Sequence, residues 1–381
     1  MKNIFVTTLA ILIFGILYFL SEDTFSYPRF SAYSGDKCTD CHVSPTGGLM
    51  RNFYGINYAK ENLQWKFLDK YSNKVNFDPK LNKTISIGGD LRIANVNVPD
   101  SVKKTLSSFL PMQGDFYVNV NVSDFVNIFV SQGVDLPTLN TKPEFYGMIS
   151  KLPANLYFKA GRFTPNYGIN IPEHRAYQRF DFLGTPYSAD AGFELGMTPG
   201  PLTFNVGIFN GVNTDFFDTD RKKMIVANAD VMLIAKQDKL NIDIGSSFYN
   251  NPFDYRDPLT GNTLNAFTHA FSGFTKIGIL NHIVLLGEAD FKEDVIEGSM
   301  TRGLYGFGEL DIKLIKGLEL RGQYEYKDPN RDIGNDRAMR YSIGCAIFPL
   351  VGVEFEAMLR FVNYDYTNNL TEYQGMLHFY F

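Results

Sequence analysis

The chain reads as an all-β protein, a 16-stranded antiparallel transmembrane β-barrel of porin size with a short N-terminal cofactor segment. Three observations predict this. Sixteen runs alternate apolar with polar residues, short and long connections alternate between those runs, and the chain ends on an aromatic strand, "MLHFYF". Period-2 alternation is the mark of a strand with one apolar and one polar face.

The first 26 residues stand apart from this pattern. Lys2 precedes an apolar run from Ile4 to Leu20, and Ser21, Glu22 and Asp23 then turn polar. That layout is a secretory signal peptide, with Thr24-Phe25-Ser26 as the nearest small-residue cleavage match. An uncleaved anchor is the alternative, and both imply export. No second apolar run is long enough for a spanning helix, which excludes a polytopic helical membrane protein. Net charge is -5, so nothing suggests a nucleic-acid partner.

The next segment, 27–82, carries the chemistry. Cys38, Cys41 and His42 form C-x-x-C-H, the attachment pattern for haem c, in which two thiols bond the haem vinyl groups and the adjacent imidazole binds iron. Two intervening residues place both sulfurs on one side of a turn. The competing readings are a redox-active thiol pair, which belongs in a thioredoxin-like unit absent here, and half a zinc site, which needs a second ligand pair. So short a segment cannot bury a haem by itself. Its shelter has to come from elsewhere in the chain.

The barrel occupies 83–381. Its strands centre near residues 90, 118, 129, 147, 158, 193, 206, 229, 244, 269, 285, 309, 322, 343, 357 and 376. In "DFYVNVNV" Phe116, Val118, Val120 and Val122 alternate with Asp115, Tyr117, Asn119 and Asn121. In "LELRGQYEYK" Leu318, Leu320, Tyr324 and Tyr326 alternate with Glu319, Arg321, Gln323, Glu325 and Lys327, and "VEFEAMLRF" repeats the design. Even-numbered connections are short ("SD", "LPA", "TPGP", "KQDK", "IGIL", "IKG", "PLVG"). Odd-numbered ones are longer and polar, including "PDSVKKTLSSFLP", "NNPFDYRDPLTGNT" and "DFKEDVIEGSMTR". Outer-membrane barrels have short periplasmic turns and longer external loops. A soluble sandwich also alternates but has no reason to alternate its loop lengths. Aromatic content of 15%, with 34 Phe and 22 Tyr against one Trp, fits interfacial girdles.

Sixteen strands enclose an aqueous lumen, and the segment before the first strand starts at the periplasmic end. The lumen is therefore the predicted shelter for the cofactor. The third external connection, 164–187, is the longest and in its length and place resembles the pore-narrowing loop of porins. It carries Glu173, His174, Arg175, Arg179 and Asp181, which read either as eyelet charges or, for His174, as an approach to the iron.

Candidates for the distal iron ligand are Met50, His174 and His378, with water, an amine or another Met as alternatives. His378 shares the predicted lumen face with Tyr380, Met376 and Gln374. His282 has the parity of inward Glu288, His269 sits with Phe267 and Phe271 on the outer face, and Cys345 points to lipid as an inert small hydrophobe. Asp215, Asp218, Asp220, Asp254, Asp257 and Asp290 are outer-loop acids that would attract a cation, although acidic loops are common on such surfaces.

Pro28-x-Phe30, Gly35 and Cys38-x-x-Cys41-His42, followed at once by a porin-sized barrel, resemble the fused monohaem cytochrome c-porin family of iron-oxidising bacterial outer membranes. Ser31-Ala32-Tyr33-Ser34 stands where that family has Ala-Arg-Gln-Thr. The resemblance implies one covalent haem c, an outer-membrane location in a Gram-negative bacterium and Fe(II):cytochrome c oxidoreductase activity. Its partners would be outer-membrane lipid, an extracellular donor such as Fe(II), and a periplasmic cytochrome as acceptor. A diffusion porin with a haem-bearing plug and the sheath of a multihaem conduit remain as alternatives. A homotrimer is one candidate assembly, and nothing in the sequence marks an interface.

Overall fold

The computed structural model describes residues 28–381 apart from 36, 66–77, 100–104, 136–139, 142, 174, 184–188, 212–217, 219, 237–238 and 366–368. The expected signal peptide and His174 lie outside the described residues.

Sixteen strands build the barrel: β1 Ile85–Pro99, β2 Thr105–Asn121, β3 Val126–Asp135, β4 Glu144–Leu152, β5 Leu156–Phe163, β6 Asp190–Met197, β7 Leu202–Phe209 and β8 Met224–Lys236 form the first half. β9 Leu240–Arg256, β10 Thr263–Ile279, β11 Ile283–Ile296, β12 Ser299–Ile315, β13 Leu318–Asp328, β14 Ala338–Leu350, β15 Val353–Tyr364 and β16 Leu370–Tyr380 form the second. A two-residue strand, Asn140–Thr141, adds to the end of β3. Each strand pairs antiparallel with its sequence neighbour. β1 also pairs with β16 (Asp90 opposite Tyr380, Arg92 opposite His378), so the sheet closes. Closure removes the unpaired edge that neither lipid nor water-poor surroundings would tolerate.

The alternation sorts side chains as expected. Leu91, Phe116, Phe193, Tyr341, Ile343 and Phe379 are exposed on the outer wall. Glu319, Arg321, Gln323 and Glu325 of β13 and Glu354, Glu356 and Arg360 of β15 are buried inside. These inward charges meet partners across the lumen wall. Arg321 bonds Asp311 at 2.9 Å and also Glu356, while Arg340 bonds Glu325 at 2.6 Å and Lys159 bonds Glu194 at 2.8 Å. A charge taken out of water needs such a partner, because an uncompensated one would shift the fold or its own ionisation.

Strand lengths differ from expectation at the loop end. Residues 290–302, read as a long loop, are instead the ends of β11 and β12 joined at a tight turn, Glu297 and Gly298, where Gly298 takes φ +89°. β9, β10 and β12 each run 17 residues, beyond the roughly 9–11 that cross a membrane. Past the apolar band both faces meet water, so the binary pattern fades while the hydrogen-bond ladder continues. Two residues were misplaced for related reasons. Asp290 is not in an outer loop but fully buried on β11, opposite Tyr305. His282 does not face the lumen but sits exposed on the 280–282 turn, one position beyond the strand whose parity was applied to it.

The lumen is filled by the chain itself. Three short helices, α1 Pro28–Ser34, α2 Cys38–Cys41 and α3 Phe53–Tyr58, lie at the short-turn end. The Lys37 ammonium there reaches the carbonyls of Thr198 and Leu202 at 3.2 and 3.3 Å, and the Trp65 amide donates to Phe348. From the other side the 164–183 connection folds inward, with Tyr167, Ile169, Ile171, Ala176, Tyr177 and Phe182 buried.

Candidate functional site

α1 is fastened to the wall at both its ends. The Arg29 guanidinium bonds Glu354 at 2.9 Å and lies 4.7 Å from the Phe30 ring centre. The Asn241 side-chain amide donates to the carbonyls of Ala32 and Tyr33, each at 3.1 Å. Gly35 ends the helix in the left-handed region (φ +79°), its amide returning to Ser31 at 2.7 Å, and a Cβ there would stand 2.8 Å from Asn241 Oδ1. Backbone and space both call for glycine here.

The C-x-x-C-H motif is one helical turn closed by the His42 amide on the Cys38 carbonyl at 3.2 Å. The following loop doubles back: Val43 N–H donates to Met50 at 3.1 Å and His42 pairs with Arg51 as an isolated bridge. A Cβ on Gly47 would lie 3.3 Å from Cys38 Sγ, so glycine keeps the space beside that sulfur. Asn52 donates its amide to the Cys41 carbonyl at 2.7 Å and accepts from Gly55 at 3.0 Å, capping α3 against the motif. Gly55 packs so closely on the Cys41 carbonyl that any Cβ there would overlap it.

Cys38 and His42 line a cavity of about 220 Å³ that reaches Tyr117, Tyr146 and Phe163 on the wall and Asn170 on the inward loop. Cys41 and His42 line a second, small space of about 40 Å³ beside Arg29, His378 and Tyr380. Burial, with Arg51 adding to it, pushes the His42 imidazole down to about 4, which keeps it in the neutral form that ligates metals. Burial pushes the Cys38 thiol up to about 11. All three cysteines are free of disulfides, and the described residues contain no cluster of three or more His, Cys, Asp or Glu placed for a bare metal ion. The residues present fit haem c: two adjacent thiols, a neutral imidazole, and a space bounded by rings.

The distal candidates are not brought to the same place. The Met50 side chain is buried in the wall cluster with Tyr117, Phe129 and Tyr146 and packs over Gly88. His378 faces the lumen, but its Nε2 stands 2.6 Å from Asp90 and its Nδ1 3.0 Å from Glu354, so both nitrogens are engaged. The charges of the inward loop clamp it to the wall: Glu173 bonds Arg360 at 2.5 Å, Arg175 bonds Glu372 at 2.7 Å and Asp181 bonds Lys327 at 2.8 Å. Of the outer-loop acids, Asp215 lies outside the described residues, Asp218 bonds Lys223, Asp254 bonds Lys222 at 2.6 Å, and Asp257 caps its own turn at Leu259. Cys345 shares the outward face of Tyr341 and Ile343, as expected. Sequence reasoning singled out Arg179 on the third external connection but missed the cavity's other arginines, Arg51 and Arg92. Arg92 shares strand parity with lumen-facing Asp90, a usable signal, whereas nothing local marks Arg51.

No family model matches the chain, and no curated protein does. Among solved structures, an outer-membrane protein OmpT of Vibrio cholerae superposes with a TM-score of 0.59 at 11% identity, over 80% of this chain and 100% of that one. An anion-selective porin from Comamonas acidovorans gives 0.57 at 10% identity, over 78% and 99%. OprB of Pseudomonas putida gives 0.57 at 9% identity, over 84% and 99%. The fold is that of bacterial outer-membrane porins, with an apolar outer wall, a polar interior and strands as the spanning elements.

Proposed function

We propose that this protein is an outer-membrane electron conduit, a porin barrel carrying one covalent haem c between an extracellular donor and periplasmic carriers. The observation that supports it is that Cys38 and His42 share the wall of a cavity inside a closed barrel. Cys38 and Cys41 would form the thioethers and His42 would be the proximal iron ligand. Bound there, haem c supplies a one-electron couple partway across the barrel. The chain's own residues do the rest. The α1 anchors fix the motif at the short-turn end, the wall rings Tyr117, Tyr146 and Phe163 exclude water, and the clamped 164–183 loop covers the far side. The apolar band of such a barrel is about 25 Å tall, and a redox centre within the lumen shortens the gap between the two aqueous sides. The motif's resemblance names Fe(II) as donor and a periplasmic cytochrome as acceptor.

Purified protein, denatured and stained for covalent haem, should show one haem per chain. Anaerobic Fe(II) should then reduce it in a pH-dependent manner. Absence of covalent haem, or a haem that stays oxidised with Fe(II) at every pH while bilayers show ordinary ion conductance, overturns the reading. The fold likeness favours a second reading, a diffusion porin whose N-terminal segment is a plug. A sheath around a separate multihaem cytochrome would need a lumen that residues 28–65 and 164–183 already fill.

A further inference from the structure

The larger cavity holds basic groups that the attachment motif does not explain. Arg92 comes from β1 and Arg179 from the inward loop, and both line the space that Cys38 and His42 line. They converge on one stretch of that loop. Arg92 Nη1 donates to the Pro172 carbonyl at 3.2 Å, while Arg179 donates to Asn170 Oδ1 at 2.9 Å and to the Tyr167 carbonyl at 3.3 Å. Asn170 is also where the motif loop touches, since a Cβ on Gly48 would lie 3.3 Å from its Nδ2. Two guanidiniums, at 9% and 8% exposure, therefore flank the point where the motif loop meets the inward loop.

We propose that Arg92 and Arg179 bind the two propionates of the haem, an assignment that rests on the haem reading above. A tetrapyrrole tethered through its vinyl positions carries two carboxylates elsewhere on the ring. Enclosed carboxylates need charged partners, and the guanidinium fork matches them with two parallel N–H donors. Two other cations line the same cavity and are bonded to carboxylates. Lys159 is bonded to Glu194 at 2.8 Å with both side chains 1% exposed. Arg51 bonds Asp90 at 3.4 Å and stacks on Tyr380 at 4.3 Å. Asp115 stands within electrostatic reach of Arg92, and Glu288 of Arg179.

The test is resonance Raman spectroscopy of the full-length, haem-loaded protein, read at the propionate bending bands, with covalent haem content measured in parallel. Arg92→Gln should move one band to lower frequency and Arg179→Gln the other, and the double variant should move both, while haem content stays at the wild-type level because the thioethers hold it. Should a Gln variant fail to fold, Arg92→Lys and Arg179→Lys keep the charge but lose the fork, and the same bands should move by a smaller amount. Unmoved bands in variants with full haem content overturn this inference and leave the haem reading standing. A wild-type protein without covalent haem overturns both.

Discussion

His378 Nε2 stands 2.6 Å from Asp90 Oδ1 across the seam where the last strand meets the first. Its other nitrogen faces Glu354 at 3.0 Å, and Glu354 in turn holds Arg29 of α1 at 2.9 Å. One side chain thus links barrel closure to plug docking. Replacing it by Leu removes the hydrogen bonding that His378 gives these two carboxylates, while Arg51 and Arg29 stay beside them, a loss of about 1–3 kcal/mol. The urea midpoint of the refolded barrel should fall for His378→Leu and recover in part for His378→Gln. The visible spectrum of the Gln variant should match wild type; a changed spectrum would mark His378 as an iron ligand.

Plug docking depends on a glycine in the wall. Gly278 of β10 lies directly under the Ala32 carbonyl, where any Cβ would overlap it. Gly278→Leu should push α1 away from the wall while leaving the β-ladder intact, since the atoms nearest an added Cβ all belong to α1. Single-channel conductance in planar bilayers should rise, by several-fold if α1 leaves the lumen. Conductance equal to wild type would show that α1 is not what closes this end.

Loop docking should be acid-labile. Burial alone would raise the Glu173 carboxyl, but Arg360 and Arg340 outweigh it and hold the group at about 2. A carboxylate depressed in the folded state stabilises above its unfolded value, and that contribution disappears as pH falls through the folded one. The Glu173–Arg360 clamp should therefore hold from neutrality down to about 4.5 and weaken between there and about 2. Protease accessibility of residues 164–183 should rise over that window, and Glu173→Gln should be accessible at every pH.

Much of this architecture is readable from sequence because a barrel wall imposes a strict two-residue period. Tyr117 and Asn119 inside, with Phe116 and Val118 outside, follow directly from "DFYVNVNV". The reading fails where that constraint lapses. Strand ends above the membrane, such as 290–302, are polar on both faces and look like loop. The site divides the same way. Cys38, Cys41 and His42 are legible as one local C-x-x-C-H motif, but their surroundings come from elements far apart in the chain: Asn241 under α1, Asn170 against Gly48, Arg92 from the first strand. Met50 illustrates the limit. Eight residues past His42, it is near in sequence, yet the doubled-back loop turns it into the wall cluster rather than the cavity.

That loop yields the sharpest test of how the motif is held. Gly47 and Gly48 both adopt positive φ, at 81° and 73°, and the Gly47 position also borders the Cys38 sulfur. Alanine at 47 is strained in backbone by about 1 kcal/mol and crowds the sulfur that attachment chemistry must reach. Alanine at 48 carries a similar backbone strain but meets only the Asn170 amide. If Cys38 has to remain accessible for a thioether to form, Gly47→Ala should lose covalent haem, read by haem stain per chain on denaturing gels, far more than Gly48→Ala does, although both loops are comparably strained. Equal losses would assign the effect to loop strain alone and leave the space beside Cys38 without a part in attachment.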